Sequence, residues 1–340
     1  MKVGVLMLTH LGDLVTYFPL VGALVSCEQI KKPVHLIVKN PLQDIFASVS
    51  GLRVIGLRCP WVGAGRWAAD FLEWIELLRY LRGQRFDLVI VTHPHMLTSL
   101  TARMTGARTV GYVDRGDRIL HRGFSVPSGH VSRRANFLLD QLGIGAVDNR
   151  WSPFQPERME SGHAAVVHLL KKLHITSRTG YICVHPGAGG AAKIWPWQNF
   201  ANVVAVLSTN TGAPVVLVGG HAEEGICTRI FQFLEGRCGV VNLAGALDVD
   251  QLFGVFRAAR IYIGNDSGPT HVAAASGVPV FSVFGPASDP DVWRPIGALT
   301  TVCSFSDRSF YEACSVERVG SDLADFLCTL EGAPAARAVR

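Results

Sequence analysis

The stretch Ile261-Tyr-Ile-Gly-Asn265-Asp266-Ser-Gly-Pro269-Thr-His271-Val-Ala-Ala-Ala-Ser-Gly277-Val-Pro279, running on into Phe284-Gly-Pro286, decides the fold. An apolar run that stops at Asp-Ser-Gly-Pro is a strand reaching a tight turn. Pro269 suits the first turn of a helix, where its missing N–H has no partner to lose. Ser267 is placed to cap that helix. Strand, turn and helix N-terminus then converge on one point. Free backbone N–H groups and the positive end of the helix dipole make that point attractive to phosphate. Asp266 and His271 add a carboxylate and an imidazole, an arrangement suited to an anionic nucleotide-sugar and its hydroxyls.

Outward from this stretch, apolar runs alternate with amphipathic ones. Strands are expected at Val3–Leu8, Val34–Val38, Leu88–Val91, Tyr181–Val184, Val215–Val218, Ile261–Ile263 and Val278–Val283. Helices are expected at Trp67–Arg82, Arg134–Leu142, Phe200–Thr209 and Asp250–Ala258. Strands that alternate with helices build parallel sheets. The pattern starts twice, at Val3 and at Tyr181. We therefore expect an α/β chain of two facing, doubly wound domains with the ligand site in the cleft between them, beyond the C-terminal ends of the strands. The boundaries are 1–155 for the first domain, 156–178 for a linker that includes the helix-like Glu157–Leu173, and 179–320 for the second. Residues 321–340 hold a last helix and an Ala/Arg/Pro-rich tail.

Length and composition support a buried globular protein, with 49% apolar and 17% charged among 340 residues. Charge is uneven. Residues 1–150 carry 18 Lys and Arg against 11 Asp and Glu, whereas residues 151–340 carry 14 against 16. The first half is the part expected to meet an acidic partner. No apolar run is long enough to span a bilayer, and Asp13 interrupts the N-terminal run too early for a signal peptide, so a cytoplasmic location is expected. The eight cysteines (27, 59, 183, 227, 238, 303, 314 and 328) are then read as thiols. Cys303, Cys314 and Cys328 are too loosely spaced to read as a zinc site, and no metal is expected.

Four constellations carry chemistry. Thr9-His10-Leu11-Gly12-Asp13 follows the first strand; Asp13 is either a helix cap or a general base for a sugar hydroxyl. His185-Pro-Gly187-Ala-Gly-Gly-Ala-Ala-Lys193-Ile-Trp195-Pro196-Trp197 offers backbone N–H groups and one point charge to phosphate, and its tryptophans read equally as core. In Gly219-Gly220-His221-Ala-Glu223-Glu224 a carboxylate is placed either for ribose hydroxyls or as a first-turn acid of a solvated helix. Last, Arg103, Arg108, Arg115, Arg118, Arg122, Arg133 and Arg134 lie in Gly-rich, loop-like sequence. They are either solvated surface or a binding set for phosphate or carboxylate. Trp61, Trp67, Phe71 and Trp74, with Arg66, read as a helix packed on its sheet or as a membrane-surface contact.

These residues resemble glycosyltransferase family nine, the ADP-heptose:lipopolysaccharide heptosyltransferases. The resemblance rests on Leu11-Gly12-Asp13 with Pro19, His185-Pro-Gly with Lys193 and Trp195-Pro196, Gly219-Gly220, and the Asp266–Pro286 block. It implies a GT-B fold with the donor in the C-terminal domain, the acceptor in the N-terminal one, and a last helix, Ser321–Leu330, crossing back. It also implies an inverting displacement of L-glycero-D-manno-heptose from ADP-heptose onto a lipopolysaccharide core, with Asp13 as base. Donor contacts would come from Gly187, Lys193, Glu224 (or Glu223), Asp266, Ser267, Gly268 and His271. The resemblance assigns no acceptor residue by position; from the basic first half itself, acceptor contacts are expected at Arg66, Arg115, Arg118 and Arg122. No cofactor or metal, nucleic acid or transmembrane segment is implied; the partner is an anionic glycolipid at the inner face of the inner membrane. Two departures stand out. Ala188-Gly-Gly-Ala-Ala192 lacks the hydroxyls common in the family's loop, and only Cys303 and Cys314 match its C-terminal cysteine segment. The alternatives are another nucleotide-sugar, a protein or small-metabolite acceptor, or a non-catalytic nucleotide-sugar binder.

Overall fold

The computed structural model describes residues 1–40, 42–46, 49–57, 67–114, 118–145, 180–297, 299–308 and 315–332, and six positions between 160 and 172. Side chains at 67–70, 249–250, 315 and 331–332 are outside that description. So are Arg66, Arg115, Trp61, Cys59 and Cys314, most of the expected linker, and the tail beyond Gly332. The chain divides into two units, Met1–Pro156 and Glu157–Arg340.

The first unit is one parallel sheet of six strands: β1 (Lys2–Met7), β2 (Lys31–Lys39), β3 (Leu52–Leu57), β4 (Leu88–Val91), β5 (Arg108–Tyr112) and β6 (Arg122–Phe124). Their order is β3-β2-β1-β4-β5-β6. β1 and β4 lie centrally and are buried on both faces, which is why they read as unbroken apolar runs. Among the described residues five α-helices accompany them: α1 (Leu11–Thr16), α2 (Phe18–Ser26, with Pro19 in its first turn), α3 (Trp67–Gln84), α4 (Met96–Met104) and α5 (Ser132–Leu142). Among the described residues the basic series lies mostly on regular elements rather than in the loops its glycines led us to expect, Arg118 excepted. Arg103 is on α4, Arg108 on β5, Arg122 on β6, and Arg133 and Arg134 on α5.

The second unit repeats the plan with β7 (Tyr181–His185), β8 (Val215–Leu217), β9 (Val240–Asn242), β10 (Ala259–Asn265), β11 (Val280–Phe284) and β12 (Thr300–Ser304), all parallel. Its order is β12-β11-β10-β7-β8-β9. Counted from its own first strand this is again 3-2-1-4-5-6, the doubly wound order. The helices are α6 (Trp197–Thr211), α7 (Glu224–Leu234), α8 (Val249–Ala258), α9 (Gly268–Ser276), α10 (Pro290–Trp293) and α11 (Ser315–Gly332). α9 ends where Gly277 takes the left-handed conformation (φ 86°) that side-chain-bearing residues avoid. Trp195 is fully buried, with its ring edge-on to Phe200 at 4.9 Å, so the core reading holds for it. On α11, Val319, Leu323 and Phe326 are buried in the core of this second unit, Phe326 against Phe281.

In each sheet the strand order reverses between the first and fourth strands, β1/β4 and β7/β10. Ligands of doubly wound sheets bind outside the strand ends at that switch. The constellations that hold Asp13 and Asp266 fall there.

Candidate active site

In the second unit, Gly264 of β10 is in register with His185 of β7, so the two strands deliver their following loops side by side. Asn265, fully buried, joins them. Its Nδ2 donates to the carbonyls of Pro186 (2.8 Å) and Gly187 (3.2 Å), and its Oδ1 accepts the Trp195 N–H (3.1 Å). The glycine loop is thereby pinned to the Asp266 turn. Ser267 occupies the N-cap of α9 but does not cap it through its side chain. Its hydroxyl turns inward instead, 3.1 Å from Thr270 Oγ1 and 3.4 Å from His185 Nδ1. Thr270 donates to the Asn265 carbonyl (2.5 Å) and meets the Tyr262 hydroxyl. The capping expectation fails because this buried polar cluster competes for the serine. Burial pushes the His185 imidazole down to about 4, which keeps it neutral.

Asp266 is buried, and three groups converge on it. Lys193 Nζ donates to Oδ2 at 2.6 Å, Ser288 Oγ donates to the same oxygen at 2.7 Å, and His271 Nε2 lies 3.9 Å from Oδ1. Burial alone raises the carboxyl. Its contacts with His271, Lys193 and Ser288 outweigh that and hold it below the usual carboxylate range. Trp293 flanks the group: its ring lies 5.9 Å from Lys193 Nζ and stands edge-on to His271 at 6.4 Å. Gly268, the first residue of α9, follows Asp266 by two positions, so Asp266 and the helix N-terminus share one turn.

The acids beside this loop divide. A Cβ at Gly187 would lie 2.4 Å from Glu223 Cγ, so the missing side chain makes room for Glu223, whose Oε2 accepts the Gly220 N–H at 2.8 Å. Glu224 is exposed, 2.6 Å from His221 Nδ1 and packed over Gly245. Glu223, the second choice from sequence, is the carboxylate that adjoins the glycine loop.

In the first unit, α1 begins directly beyond β1 with His10 at its N-cap, and Asp13 sits in the first turn. Asp13 is therefore not the cap. Thr9 Oγ1 donates to its Oδ2 at 2.9 Å, and Arg134 Nη1 lies 3.6 Å from Oδ1. Arg134 is itself anchored, since its carbonyl accepts the Tyr112 hydroxyl at 2.7 Å. On the other side of the switch, Thr92 follows β4 and accepts the Tyr17 hydroxyl through its carbonyl at 2.5 Å. His93 comes next, its imidazole lowered by burial and drawn back up by Asp13. Of the expected acceptor residues, Arg118 is exposed in the β5–β6 loop. Arg122 turns to α5, donating to Gln141 O (3.2 Å) and Oε1 (3.3 Å). Arg134, from the same basic series, is the arginine that reaches Asp13. Thr9, Asn265, Ser288 and Trp293 were not singled out from sequence. Among the described residues, no group of three or more His, Cys, Asp or Glu is arranged to hold a metal ion, and no helix is long and apolar enough to cross a membrane.

Two doubly wound parallel-sheet units, each with polar residues gathered at its switch point, are the architecture of GT-B glycosyltransferases. Over residues 74–319 the chain matches the model of Glycosyltransferase family 9 (heptosyltransferase), and it belongs to that family. It is 24% identical over 300 residues to the lipopolysaccharide heptosyltransferase 3 of Escherichia coli, covering 84% of this chain and 83% of that one. Its fold is shared with the structure of E. coli ADP-heptose lps heptosyltransferase II (TM-score 0.76, 21% identity, 97% and 100% of the two chains). It is likewise shared with a glycosyl transferase family 9 protein from Veillonella parvula (TM-score 0.79, 21% identity, 96% and 97%).

Proposed function

We propose that this glycosyltransferase moves L-glycero-D-manno-heptose from ADP-heptose to a lipopolysaccharide core acceptor at the inner face of the inner membrane, inverting the anomeric carbon. The observation that carries the donor half is the convergence of Lys193, Ser288 and His271 on Asp266 at the start of α9. One cation, one buried carboxylate and a helix N-terminus suit a diphosphate joined to a polyhydroxylated sugar. In this reading Lys193 and the N–H groups at Gly268 and His271 take the diphosphate, and Asp266 takes sugar hydroxyls. Glu223, beside Gly187, or Glu224, over Gly245, takes the ribose. Asp13 removes the acceptor hydroxyl's proton as that oxygen attacks the anomeric carbon, and ADP leaves from the opposite face. Charge on the leaving diphosphate is neutralised by Lys193 and the helix dipole, with no metal required. The names of the relatives, heptosyltransferases of lipopolysaccharide, support the sugar and the pathway.

The test mixes the protein with ADP-heptose and core acceptors and follows ADP release, in the presence and absence of a chelator. Turnover that survives chelation is expected, as is its loss in Asp13→Ala with donor binding retained. Undiminished turnover in that variant removes Asp13 from the mechanism. A melting shift with UDP or GDP larger than with ADP removes ADP-heptose.

A further inference from the structure

Helix α4 is built inside-out. Its buried positions are Thr98, Ser99, Thr101 and Ala102, whereas Met96, Leu100 and Met104, spaced i, i+4, i+8 along one stripe, are exposed, Met96 by 59%. A helix that met only its own sheet and water would be arranged the other way. Beside it on α3, Phe71 and Leu72 are exposed by 52% and 64%. The two helices are tied together where Trp74 Nε1 donates to Thr101 Oγ1 at 2.9 Å, and Phe71 packs on Trp74 one turn earlier (ring centroids 5.6 Å). The five residues therefore belong to one face, and they are five of the seven large hydrophobics exposed among the described residues. Scattered exposed apolar side chains need no explanation, but a patch of this kind marks an interaction surface.

Two further features say what covers it. Arg103 is exposed on α4 between Leu100 and Met104, in a unit whose first 150 residues carry the net positive charge; among the described side chains of α3, Arg79 and Glu76 are exposed and offset each other. Large apolar side chains interleaved with a cation fit the headgroup layer of an anionic bilayer. The patch is also continuous with the Asp13 edge of the sheet. α4 leaves β4 through Thr92-His93-Pro94-His95, and His93 feels the Asp13 charge.

We infer that the α3–α4 face docks the first unit on an anionic lipid surface, with Phe71, Leu72, Met96, Leu100 and Met104 entering the headgroup layer and the Asp13 edge turned toward a lipid-borne acceptor. The inference deepens the proposed function and rests on it for the acceptor. Vesicle partition, measured with neither donor nor acceptor present, keeps the two separable. The intact chain is sedimented with phosphatidylethanolamine vesicles with and without phosphatidylglycerol. Binding is expected to the anionic vesicles and to weaken with salt. It should fall by about tenfold or more in the triple variant Met96→Ser, Leu100→Ser, Met104→Ser, and by about fivefold in Arg103→Ala. Melting temperature and transfer to an acyl-free core oligosaccharide should be unchanged in both. Equal partition of wild type and triple variant overturns the inference. So does wild-type self-association that the triple variant abolishes, since the face is then an interface between copies. Failure of the wild type to use the acyl-free acceptor counts against the proposed function and not against the docking face.

Discussion

Thr9 holds Asp13 from four residues away: its Oγ1 donates to Oδ2 at 2.9 Å, while Arg134 faces the other oxygen at 3.6 Å. The second residue past β1 thus orients a carboxylate in the first turn of α1, and the carboxylate is braced on both sides. If Asp13 is the base, its orientation matters as much as its presence. Asp13→Asn should lower kcat by about 10²–10⁴-fold. Thr9→Val, which removes only the hydroxyl, should lower it by about tenfold, in line with a misplaced base. Neither should change donor KM. A rise in donor KM in Thr9→Val, with kcat intact, would place Thr9 in donor binding.

Acid should destabilise the second unit in two stages. His185 is pushed from 6.5 down to about 4, so the unfolded chain takes up a proton that the native state refuses. Its stabilising contribution is complete above pH 6.5 and is lost as pH falls toward 4, amounting to about 3 kcal/mol. Asp266 is held below its ordinary 3.8; its contribution is complete above that value and is lost as pH falls through the lower native one. Melting temperature followed from pH 7.5 to 3 should show both declines. His185→Gln should flatten the upper one and leave the lower.

The parts of this fold legible in the sequence are those buried on both sides. β1, β4, β7 and β10 are central strands, so their residues form apolar runs with sharp ends, and the chemistry sits at those ends. Strands toward the sheet edges were missed. β5 (Arg-Thr-Val-Gly-Tyr) and β6 (Arg-Gly-Phe) are short, with charged and glycine positions that imitate loops, and this is why Arg108 and Arg122 read as loop residues. Asp13, Lys193 and Asp266 could be named because each follows a strand. Ser288 also follows a strand, β11, but an uncharged serine in a turn carries no sign of its contact with Asp266. Asn265 reads as the last residue of a strand, and only packing shows that it clamps another loop.

That clamp should be costly to remove. Asn265→Ala breaks three hydrogen bonds in a buried setting and leaves two carbonyls and one N–H without their partner. A loss of about 3 kcal/mol in the second unit is expected, read as a fall in its melting temperature. Donor affinity should fall with it, because Gly187 and Lys193 share the released loop. Unchanged stability would mean that the loop is held by other contacts.

Gly245 tests the acids. Its φ is 74°, and a Cβ there would sit 2.2 Å from Glu224 Oε1 and 2.9 Å from His221 Nδ1. Gly245→Ala should therefore cost about 1–2 kcal/mol of strain and displace Glu224. If Glu224 helps hold the ribose, ADP should bind more weakly to this variant while inorganic pyrophosphate binds as before. Equal ADP affinity would leave the ribose to Glu223.

The contact between Lys193 and Asp266 has a consequence for selectivity. Lys193 spends one of its three N–H donors on Asp266, so a phosphate that draws the lysine fully away leaves a buried carboxylate with only Ser288 and His271, and that is expensive. A bare anion offers Asp266 nothing in return. A ligand that brings hydroxyl donors within reach of Asp266 as its diphosphate draws Lys193 away replaces what it removes. The site in its resting state thus works as an exchange that favours a molecule with acidic and hydroxylated parts on one frame over a simple anion.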